Sequence, residues 1–141
     1  MAPVPDGLYQ IGFPGAQLLT LPLETDQPGM PVLLLPPAGE RDTQVWEIRA
    51  ADGGNCTIRG KSSELYLGFD GEPDMQELVV GYSEPRQWQI DPGAEPGTYT
   101  VGVPDTKFRL GRSLLRVYPP RVALLPSMGD QFEAWFFLAA G

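Results

Sequence analysis

Apolar and polar residues alternate along this chain in short runs, and the three-to-four-residue spacing of an amphipathic helix is missing. Gly, Pro, Asp or Ser bounds each run, as expected for strands joined by turns. The sequence is therefore predicted to be all-β. The pattern predicts twelve strands, at residues 7–11, 16–21, 32–36, 44–49, 55–59, 64–69, 76–82, 86–91, 97–103, 107–111, 114–118 and 133–139.

Two motifs recur in phase along the chain. The three tryptophans are spaced by 42 and 47 residues, and each is followed two places on by a large apolar residue: Trp46, Trp88 and Trp135. A second motif precedes each of them, a glycine followed by a pair of inward-facing residues two positions apart, beginning at Gly7, Gly54 and Gly97. The sequence therefore predicts one domain of three pseudo-symmetric four-stranded repeats, at about 1–52, 53–94 and 95–141.

The third repeat is irregular after residue 118. Pro119-Pro120 is predicted to end a strand, because proline cannot donate to a strand ladder. Residues 119–132 are then predicted to form a long connection. An alternative places a strand at Val122–Leu125 within it.

The charge of the chain restricts its partners. Ten basic and eighteen acidic residues among 141 give a net charge of −8, which argues against binding to nucleic acid. The segment 107–121 is nevertheless basic, with no acidic residue. It is interpreted as a solvated edge that discourages aggregation or as a patch for an acidic partner.

The sequence also carries expectations about location. It has no basic head followed by an apolar run, and no apolar segment approaches the ~20 residues that cross a bilayer. Cys56 is the only cysteine, so no internal disulfide is possible. We therefore expect a disulfide-free, cytoplasmic monomer with no membrane contact.

Most catalytic machinery lacks its residues here. The chain has no histidine, which removes Ser-His and Cys-His nucleophilic pairs and the commonest metal ligand. The acidic residues of 70–77 do not have the spacing of a calcium-binding loop. We expect no enzymatic activity, no metal and no cofactor, and place the function in loops held by a rigid scaffold.

The repeat pattern resembles the β-trefoil fold, with an apolar first strand and a tryptophan in the fourth strand of each unit. Within it, the sequence is similar to small fungal protease inhibitors, the mycocypins and the cospin-like serine-protease inhibitors. The similar segments are Asp6-Gly7-Leu8-Tyr9-Gln10-Ile11, Gln87-Trp88-Gln89-Ile90, Tyr118-Pro119-Pro120 and Trp135-Phe136-Phe137-Leu138.

That resemblance implies a protease as partner, blocked by a rigid surface loop inserted into its cleft. In the cospin-like proteins the loop between the second and third strands presents a basic residue to trypsin-like enzymes. The corresponding loop here is 22–31, and its residues of interest are Leu23, Glu24, Thr25, Asp26 and Met30. It contains no Lys or Arg, which argues against trypsin inhibition through this loop because a pocket built for a cation rejects a carboxylate.

Other loops are implied by the same resemblance. Mycocypins block papain-like enzymes with loops that correspond to 12–15 and 36–43, where Gly15 and Gly39 would let a partner approach the backbone. Lys61, in the loop 60–63, would suit a trypsin-like pocket. Leu124 would suit a chymotrypsin-like pocket if its segment were a loop rather than a buried strand.

A second hypothesis is a carbohydrate-binding β-trefoil lectin. Gln44-Val45-Trp46 matches the Gln-x-Trp signature of ricin-type repeats, whereas the other two repeats carry Arg86 and Glu133 in place of the glutamine. Asp70 with Tyr66, or Asp26, are the residues considered for sugar binding. A third hypothesis is an interaction module that uses the basic third repeat.

Overall fold

A computed structural model of the chain describes residues 4–13, 17–22, 27–37, 41–74, 77–93, 96–113, 120–126 and 135–140. Within these residues the regular structure is twelve strands, with two short 3-10 segments at Arg41–Gln44 and Asp52–Gly54. The strands are β1 Gly7–Phe13, β2 Gln17–Thr20, β3 Leu33–Leu35, β4 Trp46–Ala50, β5 Cys56–Gly60, β6 Tyr66–Gly68, β7 Val80–Tyr82, β8 Gln89–Pro92, β9 Tyr99–Gly102, β10 Phe108–Arg112, β11 Val122–Pro126 and β12 Phe136–Ala139.

All strand pairs are antiparallel and join sequence neighbours, except that β1 also pairs with β4 and β12. One sheet runs β3-β2-β1-β4-β5-β6-β7 with β12 added to β1, and the other runs β11-β10-β9-β8. Isolated bridges connect the two sheets at Cys56–Trp88 and Tyr99–Trp135. The first and fourth strands of the three units therefore form a barrel, and each second and third strand forms a hairpin.

The three tryptophans occupy equivalent places in the core, as the sequence predicted. All three side chains are fully buried. Each indole Nε1–H donates to the carbonyl of the leucine at the same place in its repeat: Trp46 to Leu19 at 3.0 Å, Trp88 to Leu67 at 2.8 Å and Trp135 to Leu110 at 2.9 Å. Each indole is therefore buried with its one polar group, the N–H, hydrogen-bonded.

The first-strand motif pairs with the tryptophans. In each repeat the inward residue of the first strand lies directly opposite the tryptophan: Tyr9 with Trp46, Cys56 with Trp88 and Tyr99 with Trp135. The next inward residue is buried in every repeat: Ile11, Ile58 and Val101. The two motifs therefore recur in phase because they form one layer of the barrel interior.

A ring of main-chain hydrogen bonds joins the three hairpins. The amide of Val32 donates to the carbonyl of Val79 at 3.0 Å, Val79 to Val122 at 2.9 Å, and Val122 back to Val32 at 3.3 Å. All three side chains are fully buried. The ring closes one end of the core without any covalent link.

The strand that pairs with β10 lies later in the chain than the predicted eleventh strand. Residues 114–118 lie outside the described residues, and β10 pairs instead with Val122–Pro126 over its whole length. The long connection predicted for 119–132 is therefore wrong over this segment, and the alternative strand at Val122–Leu125 is confirmed. Pro120 precedes the strand and accepts a hydrogen bond from the amide of Leu34, a role that needs no N–H from the proline.

No helix in the described parts of the chain is long and apolar enough to cross a membrane.

Cys56 lies in the barrel interior, with 1% of its surface exposed. Burial, followed by the nearby charge of Asp6, raises the pKa of its thiol from 9.0 to about 12. The thiol therefore stays protonated at neutral pH, and the thiolate is the reactive form of cysteine. We expect no labelling of the native protein by a thiol-exchange reagent at pH 8, and full labelling in guanidinium chloride.

The same shift makes stability depend on pH in the alkaline range. The unfolded thiol ionises first as the pH rises, so the free energy of unfolding falls between 9.0 and about 12, by up to about 1.4 kcal/mol per pH unit. A Cys56→Ala variant lacks this contribution and should show a flatter dependence over that interval. Denaturant titrations at several pH values measure the free energy of unfolding of both proteins. If it falls equally steeply with pH in the two proteins, the assignment to Cys56 is contradicted.

Candidate functional site

A cleft of about 610 Å³ opens where three segments of the second and third repeats meet. We call it the Asp91–Asp105 cleft. Its walls are the connection between β4 and β5, strand β8 and the turn between β9 and β10. The residues that line it are Gly53, Gly54, Asn55, Gln89, Ile90, Asp91, Pro92, Pro104 and Asp105.

The first wall is a tight turn that requires glycine. Gly53 and Gly54 have φ angles of 65° and 84°, in the left-handed region that residues with a Cβ rarely adopt. The amide of Asn55 then closes the turn on the carbonyl of Asp52 at 3.1 Å. The Asn55 Nδ2 donates to the Gln87 Oε1 at 3.1 Å, which holds this turn against the segment that leads into β8.

The second wall is the outward face of β8. Side chains alternate along a strand, so Gln89 and Asp91 share one face while Ile90 is buried in the core. The Gln89 Nε2 donates to the Asp91 Oδ2 at 3.1 Å. That contact fixes an amide and a carboxylate side by side.

The third wall is the β9–β10 turn, with Pro104 and Asp105 near its tip. Asp105 has a φ of 62°, a conformation that aspartate tolerates better than most residues with a side chain. Thr106 fixes the turn, because its Oγ1 donates to the Val103 carbonyl at 2.9 Å and accepts from the Phe108 amide at 3.1 Å. Asp105 is exposed and faces the cleft.

This lining combines hydrogen-bonding groups with apolar edges. Asp91 and Asp105 provide carboxylate oxygens that accept from hydroxyl or amine groups, and Gln89 and Asn55 provide amides. The prolines add apolar surface. Within the described residues, no group of three or more acidic, cysteine or histidine side chains is placed to hold a metal ion.

A shallower groove of about 220 Å³ lies on the face of β4, β5 and β6. It contains Tyr66, one of the residues considered for sugar stacking. The Arg59 guanidinium carbon lies 5.8 Å from the centre of the Tyr66 ring. Asp70 is exposed but does not line this groove, and Asp26 lies outside the described residues. Asp70 and Tyr66 therefore do not share this groove.

The Gln-x-Trp segment of the first repeat has a structural role. Gln44 is fully buried, and its Nε2 donates to the Pro36 carbonyl at 2.8 Å and the Thr20 Oγ1 at 3.2 Å. In the second repeat the equivalent Arg86 lies 4.2 Å from the ring centre of Phe69 and donates from Nη2 to the Gly71 carbonyl at 2.7 Å. Both side chains hold their hairpins in place.

The residues predicted for protease binding are dispersed or outside the described residues. Leu124 is fully buried in β11, so its assignment to an exposed loop is wrong. Met30 is half-buried and its carbonyl accepts from the Gly81 amide, within the hairpin end of the core. The remaining loop residues lie outside the described residues: Gly15, Leu23, Glu24, Thr25, Asp26 and Gly39.

Lys61 is exposed on the compact turn between β5 and β6. Its Nζ lies 3.3 Å from the Asp42 Oδ1, and its amide donates to the Val45 carbonyl at 2.9 Å. The turn is closed by a hydrogen bond from the Gly60 amide to the Leu65 carbonyl. Lys61 is thus accessible, although its backbone is held in a turn rather than extended.

Sequence reasoning missed the cleft. Its residues are common turn and strand residues, drawn from three segments that are far apart in the chain. Gly53-Gly54 and Pro104-Asp105 were recognisable as turns. Nothing in the sequence alone says that these turns meet beside β8.

No family model matches the sequence, and no curated protein matches it. Its fold is nevertheless shared with solved structures. The ricin B-like lectin of Macrolepiota procera, in complex with lactose, aligns with a TM-score of 0.80 and 23% identity over 97% of this chain and 99% of that one. The Rhizoctonia solani agglutinin aligns with a TM-score of 0.83 and 19% identity over 99% of each chain. The designed three-fold symmetric protein ThreeFoil aligns with a TM-score of 0.83 and 16% identity, over 96% of this chain and 100% of its own.

The chain folds as a β-trefoil. The expected fold class, with twelve strands in three repeats, is therefore confirmed. The comparisons do not show a protease-inhibitor family, and the structures named above are a lectin, an agglutinin and a designed protein. At these identities the similarity carries the fold alone.

Proposed function

We propose that this β-trefoil is a carbohydrate-binding protein and that the Asp91–Asp105 cleft is its sugar site. The observation that carries the proposal is the lining of this cleft, in which carboxylates and amides surround a space open to solvent. The fold supports the proposal, because the similar structures include a lectin in complex with lactose.

The chemistry of the cleft suits sugar hydroxyls. A hydroxyl group both donates and accepts, so a sugar is well matched by carboxylates that only accept and amides that do both. Asp91 is held by Gln89, which limits the side-chain entropy lost when a ligand binds. Pro92 and Pro104 provide surfaces on which the apolar face of a ring can rest.

The size of the cleft also supports a saccharide. Small-molecule sites commonly enclose about 300–1,000 Å³, and this cleft has about 610 Å³. It is open on one side, which leaves room for a chain of sugars to extend from the bound unit. The site is therefore suited to a short oligosaccharide or the end of a longer glycan.

A glycan array followed by calorimetry on the best binders tests the proposal. We expect Asp91→Ala to weaken binding by about tenfold or more, because a hydrogen bond to a charged group contributes about 1.5–3 kcal/mol. Asp70→Ala is the comparison variant, since Asp70 is exposed outside the cleft. An array without any binding glycan would contradict the function. Loss of binding in Asp70→Ala alone would instead place the sugar site at Asp70 and Tyr66.

Protease inhibition is the second proposal, and Lys61 is the observation that supports it. Its side chain is exposed on a turn fixed by hydrogen bonds, as an inhibitory loop must be rigid. Residual activity of trypsin, chymotrypsin, subtilisin and papain provides the assay. Inhibition that disappears in Lys61→Ala, together with an empty glycan array, would place this function first.

The monomeric state and cytoplasmic location remain proposals from the sequence.

A further inference from the structure

The Asp91–Asp105 cleft is acidic. Asp91 and Asp105 line it, and no Lys or Arg is among its lining residues. Lys107 is exposed on the same turn as Asp105 but does not line the cleft. A ligand in the cleft is therefore next to two carboxylates whose charge is not balanced within the lining.

We propose that the cleft selects sugars by charge and prefers oligosaccharides that carry free amino groups, such as oligomers of glucosamine. This inference rests on the proposed carbohydrate-binding function and names its ligand class. A protonated amine donates hydrogen bonds and carries the charge that the carboxylates attract. A hydroxyl in the same position provides the hydrogen bond alone, and a uronic acid brings a third carboxylate.

The two carboxylates belong to different walls of the cleft, and each wall is held by its own hydrogen bonds. Asp91 belongs to a strand and is held by Gln89 at 3.1 Å, whereas Asp105 lies on a turn fixed by Thr106. Both positions are set by main-chain structure. Charge selectivity is therefore built into the walls of the cleft.

Solvent limits the size of the effect. Asp105 is exposed and Asp91 is half-buried, so each pairing with an ammonium group is partly screened. We expect a preference of about twofold to fivefold for each carboxylate, or about tenfold for both. Raising the salt concentration should reduce the preference, because screening lengths shorten to about 3 Å near 1 M salt.

The experiment compares three tetrasaccharides with the same β-1,4-linked glucan backbone by calorimetry on the full chain. They are the glucosamine tetramer, cellotetraose and the glucuronic acid tetramer. Affinity is expected to fall in that order. In an Asp91→Asn/Asp105→Asn variant the amides still hydrogen bond, so the glucosamine tetramer should lose about tenfold and bind no better than cellotetraose.

A variant with the same change in net charge separates local selectivity from general attraction to an acidic protein. Glu72→Gln/Glu84→Gln removes two exposed carboxylates that do not line the cleft. This variant should bind the three tetrasaccharides in the same order and with the same affinity ratios as the unaltered protein. An equal loss of preference in this variant would overturn the assignment to the cleft.

The failure of this inference is distinct from failure of the proposed function. Neutral glycans that bind on the array while the glucosamine tetramer binds no better than cellotetraose would overturn the charge selectivity alone. An array without hits and no heat from any tetramer would overturn both. If the Asp91→Asn/Asp105→Asn variant still prefers the glucosamine tetramer to cellotetraose, the charge selectivity is likewise overturned.

Discussion

Replacing Trp88 with alanine should reduce the free energy of unfolding by about 3–5 kcal/mol, the range for large aromatic residues truncated in a core. The side chain is fully buried and packs edge-on against Phe69, with ring centres 5.8 Å apart. Its indole N–H donates to the Leu67 carbonyl at 2.8 Å. The variant loses the packing, leaves a cavity and removes the donor from a buried carbonyl. Urea unfolding followed by circular dichroism measures the change.

Trp88→Phe is the matched control, because it keeps an aromatic ring but lacks the N–H. We expect it to cost less than the alanine variant while still leaving the Leu67 carbonyl without its indole partner. Native stability in Trp88→Ala would contradict the role of the indole as a core element. So would a cost in Trp88→Phe as large as that in Trp88→Ala.

Leu124→Ala should destabilise the protein by about 2–5 kcal/mol, and it should do so whichever ligand the protein binds. Leu124 is fully buried, lies opposite Leu110 in the β10–β11 pair, and its amide donates to the Glu77 carbonyl. This outcome separates a core leucine from a residue that enters a protease. A surface reactive residue would change inhibition while leaving stability within about 0.5 kcal/mol.

Leu138→Ala is the control for the same chemical change at the surface. Leu138 has 54% of its surface exposed, on β12. Its truncation should alter the free energy of unfolding by no more than about 0.5 kcal/mol. Equal costs for Leu124→Ala and Leu138→Ala, measured by the same denaturant titration, would contradict the assignment of Leu124 to the core.

The interior of the fold could be predicted because its signal is local and repeated. A tryptophan and a short apolar first strand occur in every unit, so their spacing alone indicated three repeats. The ring of Val32, Val79 and Val122 was not predicted. These valines lie in ordinary apolar runs, and only the closed structure shows that each one donates to the next.

The errors have equally specific causes. Pro119-Pro120 was interpreted as the end of a strand, but Pro120 lies just before β11. A proline can end one strand or precede the next with the same local sequence, so the sequence could not distinguish the two positions. The cleft depends on how three separate segments between residues 53 and 105 come together, a kind of information that local patterns do not contain.

The repeats agree inside the barrel and differ outside it, which explains why one unit contributes the central wall of the site. The two outward positions after each tryptophan hold Glu47 and Arg49 in the first repeat, an ion pair at 3.1 Å. In the second repeat they hold Gln89 and Asp91, an amide hydrogen-bonded to a carboxylate.

The same two positions in the third repeat hold exposed apolar residues, Phe136 and Leu138. Packing constrains the inward residues to be alike, whereas water leaves the outward ones free to differ. At these positions only the second repeat pairs an amide with a carboxylate, and the proposed sugar site depends on that pair.

The ring of valine amides makes the end of the core a shared property of the three units. Each link runs from one unit to a different one, so a single unit in isolation would expose both an amide donor and a carbonyl acceptor. Three separate copies of one unit contain all the groups needed to complete the same circle. Each unit thus supplies the hydrogen-bonding partner that another unit lacks, so this end of the core is complete only when all three units are present.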